Sequence, residues 1–176
     1  MLFRSTGGTQ PIGVPGELCC RGFNVMMGYY DMPAETAAAI DADRWLHTGD
    51  LCVMDERGYC RITGRLKDMI IRGGENIYPR EIEEVLIARP DIADAAVFAV
   101  PDDYWGEQVA CAFVPAPGCD PDAVELAEFC GSHLSRHKVP RTWYRMVELP
   151  LTPSGKIQKY RLSSLAAAGE LDNARI

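Results

Sequence analysis

The 176-residue chain has no apolar run approaching the ~20 residues that a membrane-crossing helix needs. Its first residues, MLFRSTGG, lack the apolar stretch of a secretion signal. It has no CxxC pair, and its seven cysteines are scattered and odd in number, which argues against a disulfide frame or a zinc site. They read as small buried hydrophobes in a reducing compartment, so the expected location is cytoplasmic. A basic balance is missing too: the net charge of −7 argues against a general nucleic-acid binder, which relies on a broad basic surface. Histidine is scarce. His47, His133 and His137 are spaced for neither a metal cluster nor a triad, His133 falls on the core stripe of a helix, and none is assigned chemistry. There is no internal repeat and no low-complexity segment. What remains, 47% hydrophobic and 24% charged, suits one core or two small ones.

Residues 7 to 63 read as short strands and turns at the edge of a β-rich body. GELCCRG is a strand between glycines, PAETAAAI a short helix with Pro33 in its first turn, and DLCVMDERGYCRIT a hairpin turning at Asp55-Glu56-Arg57-Gly58. Too few strands are present to enclose a core, so part of that body is expected to lie outside the chain. After Lys67 the pattern alternates. Pro79 opens a helix whose Ile82, Val85 and Leu86 share a face, and Arg89-Pro90 ends it. ADAAVFAV and QVACAFVP are apolar runs of strand length. Asp120 is the expected N-cap of a helix striped by Leu126, Phe129, Cys130, His133 and Leu134. A strand near Trp143 to Val147, the turn PLTPSGK and a last helix ending near Gly169 follow. The expected fold is α+β: a β-rich portion over 1–64, a hinge at 65–67, and a compact unit over 68–176 with a three-stranded sheet, a hairpin and flanking helices.

The chemistry-bearing residues are bunched. Arg65, Lys67, Arg72 and Arg80 lie close in sequence, as do Lys138, Arg141, Lys156, Lys159 and Arg161, and local basic loops on an acidic protein either suit a small polyanion such as a nucleotide or are solvated surface charge. In TPSGKIQK, Pro153, Ser154 and Gly155 force a tight turn that holds Lys156 at a loop tip, where it is either a compact cation for a phosphoryl group or a carboxylate or a turn lysine in solvent. It is no Walker loop, because Leu151 replaces the first glycine and Ile157 follows the lysine. In HTGD, Asp50 follows a glycine at a strand start, where it either accepts hydrogen bonds from a ribose diol or nucleates a turn. Gly73-Gly74 either lets a ligand's chain approach the backbone or makes a hairpin turn.

The joint order of these motifs resembles the adenylate-forming superfamily of acyl-CoA synthetases, peptide-synthetase adenylation domains and luciferases. The resemblance runs through GELCCRGFNVMMGYYDMPAET, WLHTGDLCVMDERGYCRITGRLKDMIIRGGENIYPREIEEVL, VPDDYWGEQVACAFV, HKVP and TPSGKIQK, nearly the whole chain from about Thr6. DMIIRGGENIYPREIEEVL looks most like medium-chain fatty-acyl-CoA synthetases. The resemblance implies that a carboxylate attacks Mg-ATP to give an acyl-adenylate and pyrophosphate, after which the thiol of coenzyme A displaces AMP. It implies a small C-terminal domain that rotates between the steps. Asp50 matches the ribose-binding aspartate, Arg65 a nucleotide-contacting arginine, and Lys67 the hinge, where other members often carry Asp. Gly74, with Arg72, Gly73 and Glu75, matches the loop that lines the pantetheine channel, and Lys156 the lysine that stabilises charge on the α-phosphate. His137 stands where Tyr is usual. The phosphate loop, adenine segment, Mg2+-coordinating glutamate and acyl pocket would belong to a large N-terminal domain upstream, so the expected partners are that domain, a fatty or other carboxylic acid, ATP and CoA. The chain is expected not to adenylate alone. Two rivals are a domain that loads a carrier protein and a non-catalytic interaction module; Asp50, Arg65 and Lys156 standing together speak against the second.

Overall fold

The computed structural model describes residues 2–3 and 7–172. Two compact units divide between Lys67 and Asp68. The first holds one antiparallel sheet in the order β1-β2-β3-β4: β1 is Leu2–Phe3, β2 Gly16–Cys20, β3 Leu46–Met54 and β4 Cys60–Arg65. β3 and β4 form the expected hairpin, closed where the Asp55 carboxylate accepts from the Arg57 and Tyr59 amides, each at 2.9 Å. Helix α1, Pro33–Ala39, starts on its proline as expected. A 3-10 turn, Leu66–Asp68, carries the chain across the boundary between units.

In the second unit a five-stranded sheet is built on the long hairpin of β7, Ile92–Asp102, and β8, Gly106–Pro115. On the other side of β8 lie β9, Thr142–Arg145, parallel to it, and the short hairpin of β5, Ile70–Arg72, and β6, Glu75–Ile77. Alternation with period two sends the strand residues to two cores. Ala95, Val97, Val109, Cys111 and Phe113 meet Ile82 and Leu86 of α2, Pro79–Ile87, and Leu126 and Cys130 of α3, Ala123–His133. Ala96, Phe98, Ala110 and Ala112 meet Leu162 of α4, Lys159–Ala167. Both faces are covered, which is why these strands read as near-continuous apolar runs.

Three expectations are corrected. The cap of α3 is Asp122, whose carboxylate accepts the Val124 amide at 2.7 Å from an extended backbone (φ −82°, ψ 144°). Asp120 lies two residues too early, before Pro121, and pairs instead with Arg145. His133 is exposed, not on the core stripe: it is the last residue of α3, stacked on Phe129 and bonded to Ser132 and the Phe129 carbonyl. Of the seven free cysteines, Cys19, Cys52, Cys111 and Cys130 are buried, but Cys20 and Cys119 are half-buried and Cys60 is exposed. Among the described residues no helix is long and apolar enough to cross a membrane.

Candidate functional site

The HTGD segment sits at a break in the first sheet. On β2, Glu17 pairs with Leu51 and Cys19 with His47, so Thr48, Gly49 and Asp50 stand opposite the single Leu18. The extra residues bulge from the ladder, with Gly49 at φ +71°, a conformation that favours glycine. Side chains replace the lost ladder bonds. Thr48 Oγ1 donates to the Leu18 carbonyl at 2.7 Å and accepts the Asp50 amide at 3.1 Å, while Glu17 Oε1 accepts the Gly49 amide at 3.0 Å. Beyond the bulge Asp50 pairs with Arg65 of β4, and Arg65 Nε donates to Asp50 Oδ1 at 3.1 Å. A cavity of about 380 Å3 is lined by Thr48, Gly49, Arg65, Leu66 and Lys67, within the size range of small-molecule pockets. Asp50 is thus brought to Arg65, which lines the cavity, and Lys67 lines it too, exposed in the 3-10 turn.

In the second unit Arg72 pairs with Glu75 around a two-residue turn, Gly73-Gly74, both at positive φ (58° and 86°). The two glycines are not equivalent. A Cβ on Gly73 would lie 2.5 Å from Trp105 Cε3, whereas one on Gly74 would meet nothing within 4 Å. Trp105 anchors the turn: its carbonyl accepts the Gly73 amide at 2.9 Å, and the Arg72 guanidinium lies 5.1 Å from its ring centroid. Arg72 is only 8% exposed; Nη1 donates to the His137 carbonyl at 3.0 Å and Nε has no partner. Burial, and then the like charge of Arg141, hold its pKa below the usual arginine value. Glu75 is exposed.

Lys156 stands at the tip of its own turn. Thr152 Oγ1 accepts the Lys156 amide at 3.0 Å, the Thr152 amide donates to the Lys156 carbonyl at 2.8 Å, and Gly155 takes φ +79°. Its side chain is exposed, and no hydrogen bond or ion pair among the described residues engages its ammonium. Three other basic side chains are held by carboxylates: Lys138 by Glu81 at 2.7 Å, Lys159 by Glu83 at 2.6 Å and Arg80 by Glu84 at 2.8 Å.

Sequence spacing missed Glu17 and Trp105. A charged residue inside the short strand GELCC was the available signal for Glu17, and a tryptophan in the hairpin turn DDYWG for Trp105. It also missed that His47, Glu17 and Cys19 converge, their donor atoms lying within 4.8 Å of one another. His47 Nδ1 is 2.8 Å from Glu17 Oε2 and 3.4 Å from Cys19 Sγ, and Nε2 is 3.5 Å from Asp41 Oδ2. The hydrogen bond to Glu17 raises the His47 pKa. Burial, then Glu17, push the Cys19 thiol up to about 12, so it stays protonated. The group is a hydrogen-bonded ionic network.

Against known proteins, residues 81–156 match the family model of the AMP-binding enzyme C-terminal domain. The chain is also similar to proteins named acyl-CoA synthetases and ligases. It is 54% identical over 150 residues to a putative acyl-CoA synthetase, YngI, of Bacillus subtilis, a match that covers 85% of this chain and 27% of that one. It is 45% identical over 157 residues to the mitochondrial medium-chain acyl-CoA ligase ACSF2 of Bos taurus, covering 89% and 26%. Its structure resembles that of o-succinylbenzoate CoA synthetase (MenE) from Bacillus subtilis in complex with an acyl-adenylate intermediate: TM-score 0.84, 32% identity, 92% of this chain and 33% of that one. The chain therefore spans about a quarter of the length of the curated relatives named here.

Proposed function

We propose that this chain is the part of an ATP-dependent acyl-CoA synthetase that grips the nucleotide and alternates between two half-reactions. A fatty carboxylate attacks the α-phosphorus of ATP, forming the acyl–O–P bond of the adenylate and releasing pyrophosphate. The sulfur of coenzyme A then attacks the acyl carbon, its proton is lost, and AMP leaves with the carboxylate–phosphate oxygen. Asp50 and Arg65 hold the ribose and phosphate side of the nucleotide at the cavity. Lys156 meets the negative charge that builds on the phosphate oxygens in the first step. Gly74, with Arg72, Gly73 and Glu75, leaves a path for pantetheine in the second. The hinge lies at 65–67, where a few φ/ψ changes suffice for a domain swing. The carboxylates near the cavity, Glu17 and Asp50, are already paired with His47 and Arg65, which does not suit them as ligands of the Mg2+ that accompanies ATP. Seven free cysteines favour a reducing, cytoplasmic setting.

The observation that carries this reading is the Lys156 ammonium, held out on a hydrogen-bonded turn without a carboxylate partner, while Lys138 and Lys159 each have one. A chimera joining this chain to the remaining length of the Bacillus subtilis relative tests it. Lys156→Ala should lower ATP–pyrophosphate exchange by about 10²–10³-fold and change thioester formation from supplied acyl-adenylate only a few-fold. Exchange unaffected by the substitution would remove Lys156 from the reaction. Offering CoA and a phosphopantetheinyl carrier protein side by side identifies the acceptor, and turnover with the carrier alone would overturn the CoA assignment.

A further inference from the structure

We infer that Glu17 is a positioning residue for the nucleotide segment, a side-chain substitute for the strand that the bulge pushes away. The inference rests on the reading of Asp50 above. The register between β2 and β3 leaves Thr48, Gly49 and Asp50 opposite Leu18 alone, so the bulged backbone loses regular ladder partners. Glu17 lies at the edge of that gap and divides its carboxylate between Gly49, at the centre of the bulge, and His47, the last paired residue before it. Oε1 accepts the Gly49 amide at 3.0 Å, and Oε2 meets His47 Nδ1 at 2.8 Å.

Both bonds are to an ionised acceptor, the stronger class. They fix the residues on either side of Thr48, whose hydroxyl fastens the start of the bulge to the Leu18 carbonyl. Asp50 follows directly, its amide on Thr48 Oγ1 and its carboxylate on Arg65 Nε. The direction in which Asp50 faces is therefore set from β2. Asp41 completes the frame by meeting His47 Nε2, so the ring is held from both nitrogens. Glu17 touches neither Asp50 nor Arg65 in these bonds and acts on the nucleotide through Gly49.

The test uses the chimera with the Bacillus subtilis relative, which supplies the adenine segment and phosphate loop expected upstream, by amide NMR of the wild type, Glu17→Ala and Glu17→Gln with AMP as the probe. In Glu17→Ala the Gly49 amide proton should move upfield, having lost its charged acceptor, and the apparent Kd for AMP, read at Thr48 to Asp50 and Arg65, should rise at least five-fold. Glu17→Gln should restore most of both, because a carboxamide can accept from Gly49 and still reach the imidazole. An unmoved Gly49 resonance in a folded Glu17→Ala overturns the inference, and so does an AMP titration identical to wild type. A moved resonance together with no wild-type response to AMP leaves the clamp standing and overturns the nucleotide reading instead. If Glu17→Ala does not fold, Glu17→Gln decides: loss of the Gly49 shift with AMP affinity unchanged contradicts the positioning role.

Discussion

At the scale of single residues, the site is held by atoms that complete broken backbone patterns. His47 shows this most plainly, because Glu17 and Asp41 face its two nitrogens and Cys19 lies beside it. Its folded pKa is raised above the unfolded value, near 6.5. The linked stability is therefore fully present below about pH 6.5 and is lost as pH rises through the folded pKa. Asp41, held low chiefly by the Trp45 amide, titrates well to the acid side of this window, and the Cys19 thiol to the alkaline side. Exchange of amides in the β2–β3 ladder, corrected for intrinsic rates, should be more protected at pH 6 than at pH 8, and His47→Gln should remove that difference. The glycines of the Gly73-Gly74 turn give a second residue-scale expectation. Gly73→Ala combines a strained φ with a collision against the Trp105 ring, whereas Gly74→Ala carries the strain alone. Strain of this kind costs about 1–2 kcal/mol, so Gly73→Ala should be the more destabilising of the two in urea unfolding. Equal losses would mean that the ring yields freely.

At the scale of elements, the second unit is a sheet sheathed on both faces, and a polar pair ties the sheaths together. Glu83 of α2 accepts the Val97 amide of β7 at 2.8 Å and binds Lys159, the first residue of α4, at 2.6 Å. Both side chains are mostly withdrawn from water, 15% and 19% exposed. Breaking such a pair leaves a half-buried charge unmatched, so Glu83→Ala should destabilise the unit by about 2–4 kcal/mol, measured by chemical denaturation. A change below about 0.5 kcal/mol, as expected of surface pairs, would show that the pair is solvated. Much of this architecture is legible in the chain. Two apolar runs joined by DDYWG announce β7 and β8, Pro79 announces α2, and TPSGK announces a turn with an exposed lysine. What is not legible depends on partners distant in sequence. The bulge at Thr48-Gly49-Asp50 takes an acceptor from Glu17, some thirty residues earlier. Arg72, one of the bunched cations, is drawn inward by Trp105 and the His137 carbonyl, which spacing along the chain does not announce. The cap of α3 fell to Asp122 because two aspartates flank Pro121 and Arg145 engages the first.

At the scale of the whole molecule, one unit carries the Asp50–Arg65 pair, and the other carries Gly74 and Lys156 on separate turns. That separation gives the proposal its central claim: the cation serves adenylation and the side-chain-free turn serves thiolysis. The most direct measurement is both half-reactions, each assayed alone, in the chimera bearing Lys156→Ala, Gly74→Leu or Gly74→Ala. The alanine at Gly74 shares the backbone strain of the leucine without its bulk. The account predicts that Lys156→Ala depresses pyrophosphate exchange but not thioester formation from supplied adenylate, while Gly74→Leu depresses thioester formation but not exchange and exceeds Gly74→Ala in that loss. If Lys156→Ala and Gly74→Leu impair the same half-reaction to the same degree, the division of labour between the two turns is contradicted.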